Sequence, residues 1–287
     1  MPELPEVETV RRGLESVLSG ARLSRVEARR PDLRFPLPEG FVQRLTGARL
    51  TSLDRRGKYI LGHLDRDETL IMHLGMTGRF EIENGPGVRA PGGFALAAAV
   101  DPKHAHVIFH TEAGARVTYF DPRRFGFMDL CRSDALDVHP RFLGMGPEPL
   151  GDAFTADHLV SAFKGRRQGA KTLLLDQGVV AGLGNIYVCE ALHRARISPI
   201  GAADEISRRK LDDLVTSVRS ILGEALIAGG STLRDFAGAD GALGYFQHSF
   251  QAYGREGESC ARRRCRGVIR RIVQAGRSTF YCPVCQK

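Results

Sequence analysis

Apolar positions along the chain follow two periods. Val7, Val10, Leu14, Val17 and Leu18 recur at helical spacing after Pro5, a residue tolerated in a first helical turn. The spacing predicts a helix over residues 5–18, with Pro2 and Glu3 just outside its N-terminus. The period then changes. Leu23, Val26 and Ala28; Leu50 and Leu53; Tyr59 to Leu64; Leu70 to Leu74; Val107 and Phe109; Val117 and Tyr119; and Phe127 to Leu130 form short apolar or alternating runs. Turn residues separate them, which predicts a β-sandwich or barrel-like domain. The stretch Asn84 to Gly93 is rich in Gly and Pro and reads as a loose loop. Residues 132–152, with Pro140, Pro147 and Pro149, read as a linker. Beyond them the helical period returns. Leu211, Leu214, Val215, Val218, Ile221, Leu222 and Ala225 mark an amphipathic helix, capped by Ser207 and stopped by Gly229-Gly230. A shorter helix over Asn185 to Arg194 precedes it. No internal repeat is visible.

Composition adds little to this picture, but the placement of charge adds more. At 287 residues, 43% hydrophobic and 26% charged, the chain is an ordinary globular protein long enough for two domains. No run approaches the roughly 20 apolar residues that cross a bilayer. Glu3, Glu6 and Glu8 ahead of Arg11 are unlike a signal peptide, so a cytosolic protein is expected. Of the net charge of +8, residues 255–287 hold +7, with nine Lys/Arg against two Asp/Glu. That concentration points to a nucleic-acid-contacting module, with a solvated basic tail as the alternative.

The same module holds four of the six cysteines. Cys260-x4-Cys265, sixteen residues, then Cys282-x2-Cys285 is a four-thiolate zinc pattern, each short knuckle supplying two ligands. Disulfides are the poor alternative in a cytosolic chain. Val268, Ile269, Ile272, Val273 and Phe280 between the pairs suggest a β-hairpin finger around one structural Zn2+. Arg262, Arg263, Arg264, Arg266, Arg270, Arg271 and Arg277 dress it with phosphate-binding groups. Cys131 and Cys189 are isolated and read as packing residues.

The other end of the chain carries a candidate nucleophile. Removal of Met1 leaves Pro2 as a secondary amine at the amino terminus, with the Glu3 carboxylate beside it. A secondary amine attacking an aldehyde-like carbon gives an iminium that keeps its positive charge. An ordinary α-amino pKa of about 7.7–8.0 leaves part of it unprotonated at neutral pH. The alternative is that Pro2 only protects the start of a helix.

With both ends read, Met1-Pro-Glu-Leu-Pro-Glu-Val-Glu-Thr9, Arg56-Gly-Lys-Tyr59, His73-Leu-Gly-Met76, Asp121-Pro-Arg-Arg-Phe-Gly126, Gly182-Leu-Gly-Asn-Ile-Tyr187 and Arg277-Ser-Thr-Phe-Tyr-Cys282 stand in order along the chain. Together they resemble the bacterial formamidopyrimidine-DNA glycosylase family over nearly its whole length. The resemblance implies a multidomain α+β fold: an N-terminal helix plus β-sandwich (1–131), a linker (132–152), a helix–two-turn–helix domain (153–250) and a zinc β-hairpin finger (251–287), with DNA in the cleft between. It implies a monomeric, cytoplasmic, nucleoid-associated enzyme of base excision repair. The partner is double-stranded DNA containing oxidised bases or abasic sites, with no membrane involved. The activity implied is removal of oxidised purines such as 8-oxoguanine and formamidopyrimidines, followed by strand cleavage.

The resemblance also assigns roles. Pro2 is the nucleophile, Glu3 moves protons, Lys58 acts near the damaged base and phosphate, and Arg277 grips phosphate beside the lesion. Met76, Arg123 and Phe125 match the side chains that fill the space left by an extruded nucleotide; composition alone makes Met76 and Phe125 core residues. His73, His104, Arg166 and Asn185 match DNA contacts. Glu6, Thr232 and Tyr245 match parts of the lesion pocket and its covering loop. The chain departs from the family in its four-residue first knuckle, in Gly165-Arg166-Arg167 where lysines are common, and in a longer segment over 84–100. An endonuclease VIII-like enzyme for oxidised pyrimidines is the near alternative, although its start usually reads Pro-Glu-Gly-Pro-Glu. A catalytically silent damaged-DNA-binding protein is the distant one.

Overall fold

A computed structural model describes residues 2–85, 87–89, 101–231 and 246–287. They form two compact units: the described parts of Met1–Leu143 with Ala228–Tyr245, and Gly144–Ile227 with Phe246–Lys287. No described helix is long and apolar enough to cross a membrane.

The first unit begins with α1 (Leu4–Leu18), β1 (Leu23–Ala28) and α2 (Phe41–Leu45). Strands β2 (Leu50–Arg56), β3 (Tyr59–Leu64), β4 (Glu68–His73), β5 (Arg79–Glu83), β6 (Val88–Arg89), β7 (Ala105–Thr111), β8 (Arg116–Phe120) and β9 (Phe127–Arg132) follow. They make two antiparallel sheets, in the orders β1-β7-β8-β5-β6 and β2-β3-β4-β9. A shared core joins them. Val7, Val10, Leu14 and Leu18 of α1 pack there with Leu53, Ile60, Met72, Phe80, Phe109, Val117 and Tyr119. The expected helix and sandwich are therefore both present.

Two expectations change. Arg79-Phe-Glu-Ile-Glu83 is a strand whose buried Phe80 and Ile82 alternate with charged residues, a five-residue signal easily lost beside longer apolar runs. Val88 and Arg89, inside the expected loose loop, pair with Glu83 and Ile82. Residues 132–143 are more than a tether. Phe142 is buried, with its ring 5.1 Å from Tyr59, and the Arg141 guanidinium lies 4.3 Å from Phe35 and 4.6 Å from Phe127. The division between units falls after Leu143.

The second unit contains α3 (Ala156–Phe163), α4 (Ala170–Leu174), α5 (Asn185–Arg194), α6 (Arg208–Ile227) and the hairpin β10 (Arg270–Gln274) with β11 (Arg277–Tyr281). The seven apolar positions expected on one face of α6 are all buried, and the Ser207 hydroxyl accepts the Lys210 N–H at 3.4 Å. Helix α5 packs on α6 and on β11. Its buried Glu190 accepts the N–H groups of Gln251, Ala252 and Tyr253 at 2.9, 2.9 and 2.7 Å. Glu190→Ala leaves those donors without this acceptor and is expected to cost on the order of 3 kcal/mol of stability, measurable by calorimetric unfolding.

Candidate functional site

Helix α1 is fixed on the β2–β3 hairpin. It packs on both strands, Arg11 donates to the Leu53 carbonyl at 2.8 Å, and Arg55 pairs with Glu8 at 3.2 Å. These ties place the helix start, where Pro2 and Glu3 are both buried and Glu3 is the N-cap residue. The Glu3 N–H donates to Glu6 Oε2 at 2.9 Å. Glu6 Oε1 accepts the Ser231 N–H at 2.7 Å and its hydroxyl at 3.0 Å. Gly230, at φ +88°, lets the chain pass this carboxylate, since a Cβ there would lie 2.9 Å from Oε1. Glu6, matched to the lesion pocket by the resemblance, links the Glu3 N–H to Ser231. Thr232 and Tyr245 lie outside the described residues.

Lys58 sits with Gly57 in the turn that closes the Arg56–Tyr59 pair, and Gly57 has φ +56°. It is 8% exposed, which removes the reading as an exposed strand lysine.

His73 ends β4 with its ring stacked on Phe127 at 5.3 Å. Burial, then the charges of Lys58, Arg34 and Arg141, lower its pKa to about 4. Its Nδ1 accepts the Gly75 N–H at 3.1 Å, which fixes the neutral tautomer and the turn leading to Met76. Below the ordinary value of 6.5 the unfolded chain takes up a proton that folded His73 refuses until about pH 4. The stability this residue contributes is therefore present above that window and lost as pH falls through it. His73→Gln should flatten the acid side of the stability profile, measured by urea unfolding at a series of pH values.

His73, Met76, Arg123 and Phe125 come together with Leu33 and Arg34 around a cavity of about 500 Å3. Phe125 is 40% exposed, under the Arg123 guanidinium at 4.6 Å from its centroid. It is no core residue, and Met76 is only half-buried. His104 lies in a short 3-10 turn and is not among the lining residues; its carbonyl accepts the Asp121 N–H at 3.1 Å.

In the second unit Ala275 and Gly276, at φ +46° and +71°, form the two-residue turn between β10 and β11. Exposed Arg277 opens β11. The next carbonyl, of Ser278, accepts Asn185 Nδ2 at 2.9 Å and Lys171 Nζ at 3.0 Å. Lys171 also donates to Thr279 Oγ1 at 2.7 Å and is fully buried. Sequence reasoning missed Lys171, whose only signal is a lone cation in the run Ala170 to Leu175. Arg166 is exposed in the loop after α3.

The four finger cysteines bring their Sγ atoms within 4.8 Å of one another, and no other such cluster occurs among the described residues. Four convergent thiols on two knuckles fit one structural zinc ion. The Gly267 N–H approaches Cys265 Sγ at 3.4 Å and His193 Nε2 lies 3.3 Å from Cys260 Sγ, so these two sulfurs have outer partners of their own. The first knuckle corrects one expectation. Arg262 does not present its guanidinium as a free phosphate ligand; it donates to the His193 and Arg194 carbonyls at 2.8 and 2.9 Å, capping the C-terminus of α5.

Residues 1–128 match the formamidopyrimidine-DNA glycosylase N-terminal domain, 145–237 its H2TH domain, and 257–287 a zinc finger found in FPG and IleRS. The chain belongs to the formamidopyrimidine-DNA glycosylase family. It is 67% identical to the formamidopyrimidine-DNA glycosylase of Phenylobacterium zucineum and 54% identical to that of Ruegeria pomeroyi, each over 100% of both chains. Among solved structures it is similar to a Lactococcus lactis FPG mutant in complex with Fapy-dG-containing DNA, at TM-score 0.85 and 36% identity over 100% of both chains. It is also similar to Thermus thermophilus MutM (FPG), at TM-score 0.83 and 37% identity over 99% of this chain and 98% of that one.

Proposed function

We propose that this glycosylase releases oxidised purines by covalent catalysis at Pro2 and then cuts the strand as an abasic-site lyase. The observation that carries the reading is the buried Pro2–Glu3 pair at the head of a 15-residue helix. Pro2 must be the chain's amino terminus, because inside a peptide bond its nitrogen has no lone pair to offer.

A base within a duplex is unreachable, so the nucleotide is first extruded. The Pro2 nitrogen attacks C1′, and the bond from C1′ to the base breaks with its electron pair leaving on the base. Glu3 takes the proton that the Pro2 nitrogen loses and passes it to the ring oxygen, the sugar opens, and nitrogen and C1′ share the double bond of an iminium. That cation acidifies C2′; loss of its proton expels the 3′ phosphate, and a second elimination expels the 5′ phosphate. Water hydrolyses the iminium and frees Pro2. Lys58 and Arg277 supply positive charge to the phosphates, while Met76, Arg123 and Phe125 fill the space the nucleotide vacates. His73, His104, Arg166 and Asn185 hold the strands. The cell compartment proposed is the cytoplasm, at the nucleoid, on the strength of the bacterial relatives.

Borohydride tests the covalent step. Incubated with an 8-oxoguanine duplex, the protein should be trapped on DNA as a reduced adduct; tight binding without an adduct defeats this mechanism.

A further inference from the structure

Asp121 is fully buried at the head of the loop that carries Arg123 and Phe125. Its Oδ2 accepts the Gly126 N–H at 2.7 Å and the Tyr119 hydroxyl at 3.3 Å. Its Oδ1 accepts the Thr77 hydroxyl at 2.5 Å. Thr77 Oγ1 in turn accepts the Arg123 N–H at 3.3 Å. The donors therefore run in one direction, from Arg123 through Thr77 to the carboxylate. Thr77 directly follows Met76, so a single buried charge ties the Met76 turn to the Arg123–Phe125 loop.

The two loops also touch through backbone. A Cβ on Gly75, at φ +62°, would lie 2.3 Å from the Gly126 nitrogen, and one on Gly126 would lie 1.9 Å from the Tyr119 hydroxyl. Arg124 takes φ +54° between Arg123 and the exposed Phe125, a left-handed conformation that costs a non-glycine residue energy unless its surroundings impose it. A buried carboxylate is costly unless donors surround it. Here its donors come from the two loops and from β8, so leaving the charge satisfied requires the loops to stay together.

We propose that Asp121, acting through Thr77, is a positioning residue that locks the Met76 turn and the Arg123–Phe125 loop into one rigid wedge. This rests on the reading of those three side chains as the group that replaces the extruded nucleotide. Unstacking a base costs a few kcal/mol, and loops that yield separately return part of that cost as re-insertion of the base. The polarity matters as well. An amide at position 121 that kept accepting from Gly126 would turn an N–H towards Thr77, and the Thr77 hydroxyl would lose its acceptor.

The test uses the full-length, zinc-loaded protein in single-turnover strand cleavage on two duplexes that differ at one nucleotide, 8-oxoguanine or an abasic site. The abasic duplex has no base to unstack. Thr77→Val removes both hydrogen bonds of this hydroxyl and should slow cleavage at 8-oxoguanine about tenfold, while leaving abasic cleavage within about twofold. Thr77→Ser, which keeps the hydroxyl, should stay near wild type on both. Equal slowing of both substrates by Thr77→Val would make the link merely structural and overturn the proposal. Phe125→Ala separates the two readings. If it slows 8-oxoguanine cleavage while Thr77→Val does not, the wedge stands and the role of Asp121 is wrong. If Phe125→Ala matches wild type on 8-oxoguanine, the wedge reading fails and the proposal fails with it.

Discussion

Replacing Pro2 with glycine is expected to lower the single-turnover rate of base release by about a hundredfold or more, while affinity for an uncleavable abasic analogue stays within about threefold. Glycine keeps a terminal nitrogen but makes it a primary amine. Its adduct can lose a proton to become a neutral imine, whereas the proline iminium has no N–H to lose and stays charged. The ring also holds the nitrogen in place ahead of Leu4, where α1 begins. The neighbouring geometry should survive, because Glu3 is held through its own N–H by Glu6 and the helix through Arg11 and Glu8. Binding and chemistry should therefore separate. Rapid-quench assays with 8-oxoguanine duplex, alongside fluorescence anisotropy, measure the two. A Pro2→Gly protein that excises at the wild-type rate would remove Pro2 from the mechanism; one that also loses binding would mean the substitution had unfolded the helix start.

How much of this was legible in the sequence depends on how local the signal is. Helices α1 and α6 and most strands of the sandwich could be read because each carries its own period or alternation. Helices α3 and α4, eight and five residues long, span too few turns to show one. The finger was readable from cysteine spacing, since zinc geometry leaves few alternatives. The site divides in the same way. Residues in motifs could be named, but what they do inside the fold is a matter of distant partners. Glu6 meets Ser231 more than 200 positions away, and Lys171 meets Ser278 across more than 100. Arg262 looked like one of seven equivalent arginines until the C-terminal carbonyls of α5 were seen to engage it. Charge counting shows that a module is basic; only the fold shows which of its cations are already occupied.

Zinc removal should have the second large effect. The buried core of the finger consists of Ala252, Cys260, Ile269 and Cys282, with Cys265, Phe280 and Cys285 packed partly against it. Two of those four residues are proposed metal ligands, so the apolar remainder is far too small to order the module alone. Structural zinc in such modules supplies about 10–16 kcal/mol of binding free energy, which becomes folding free energy. Stripping the ion with a strong chelator, or replacing Cys282 by serine, should melt the β10–β11 hairpin. Arg277 would then lose its fixed place, and the Ser278 carbonyl would leave Lys171 and Asn185. DNA affinity should fall by about a hundredfold or more, because phosphate contacts act together and depend on position. Metal analysis should find one zinc per chain before treatment, and re-addition should restore binding to the chelated wild type but not to Cys282→Ser. The sandwich has its own core and should keep its β signal in circular dichroism after the loss. If the zinc-free protein bound DNA as tightly as the loaded one, the finger would be a structural clip, and the concentration of positive charge over residues 255–287 would need another explanation.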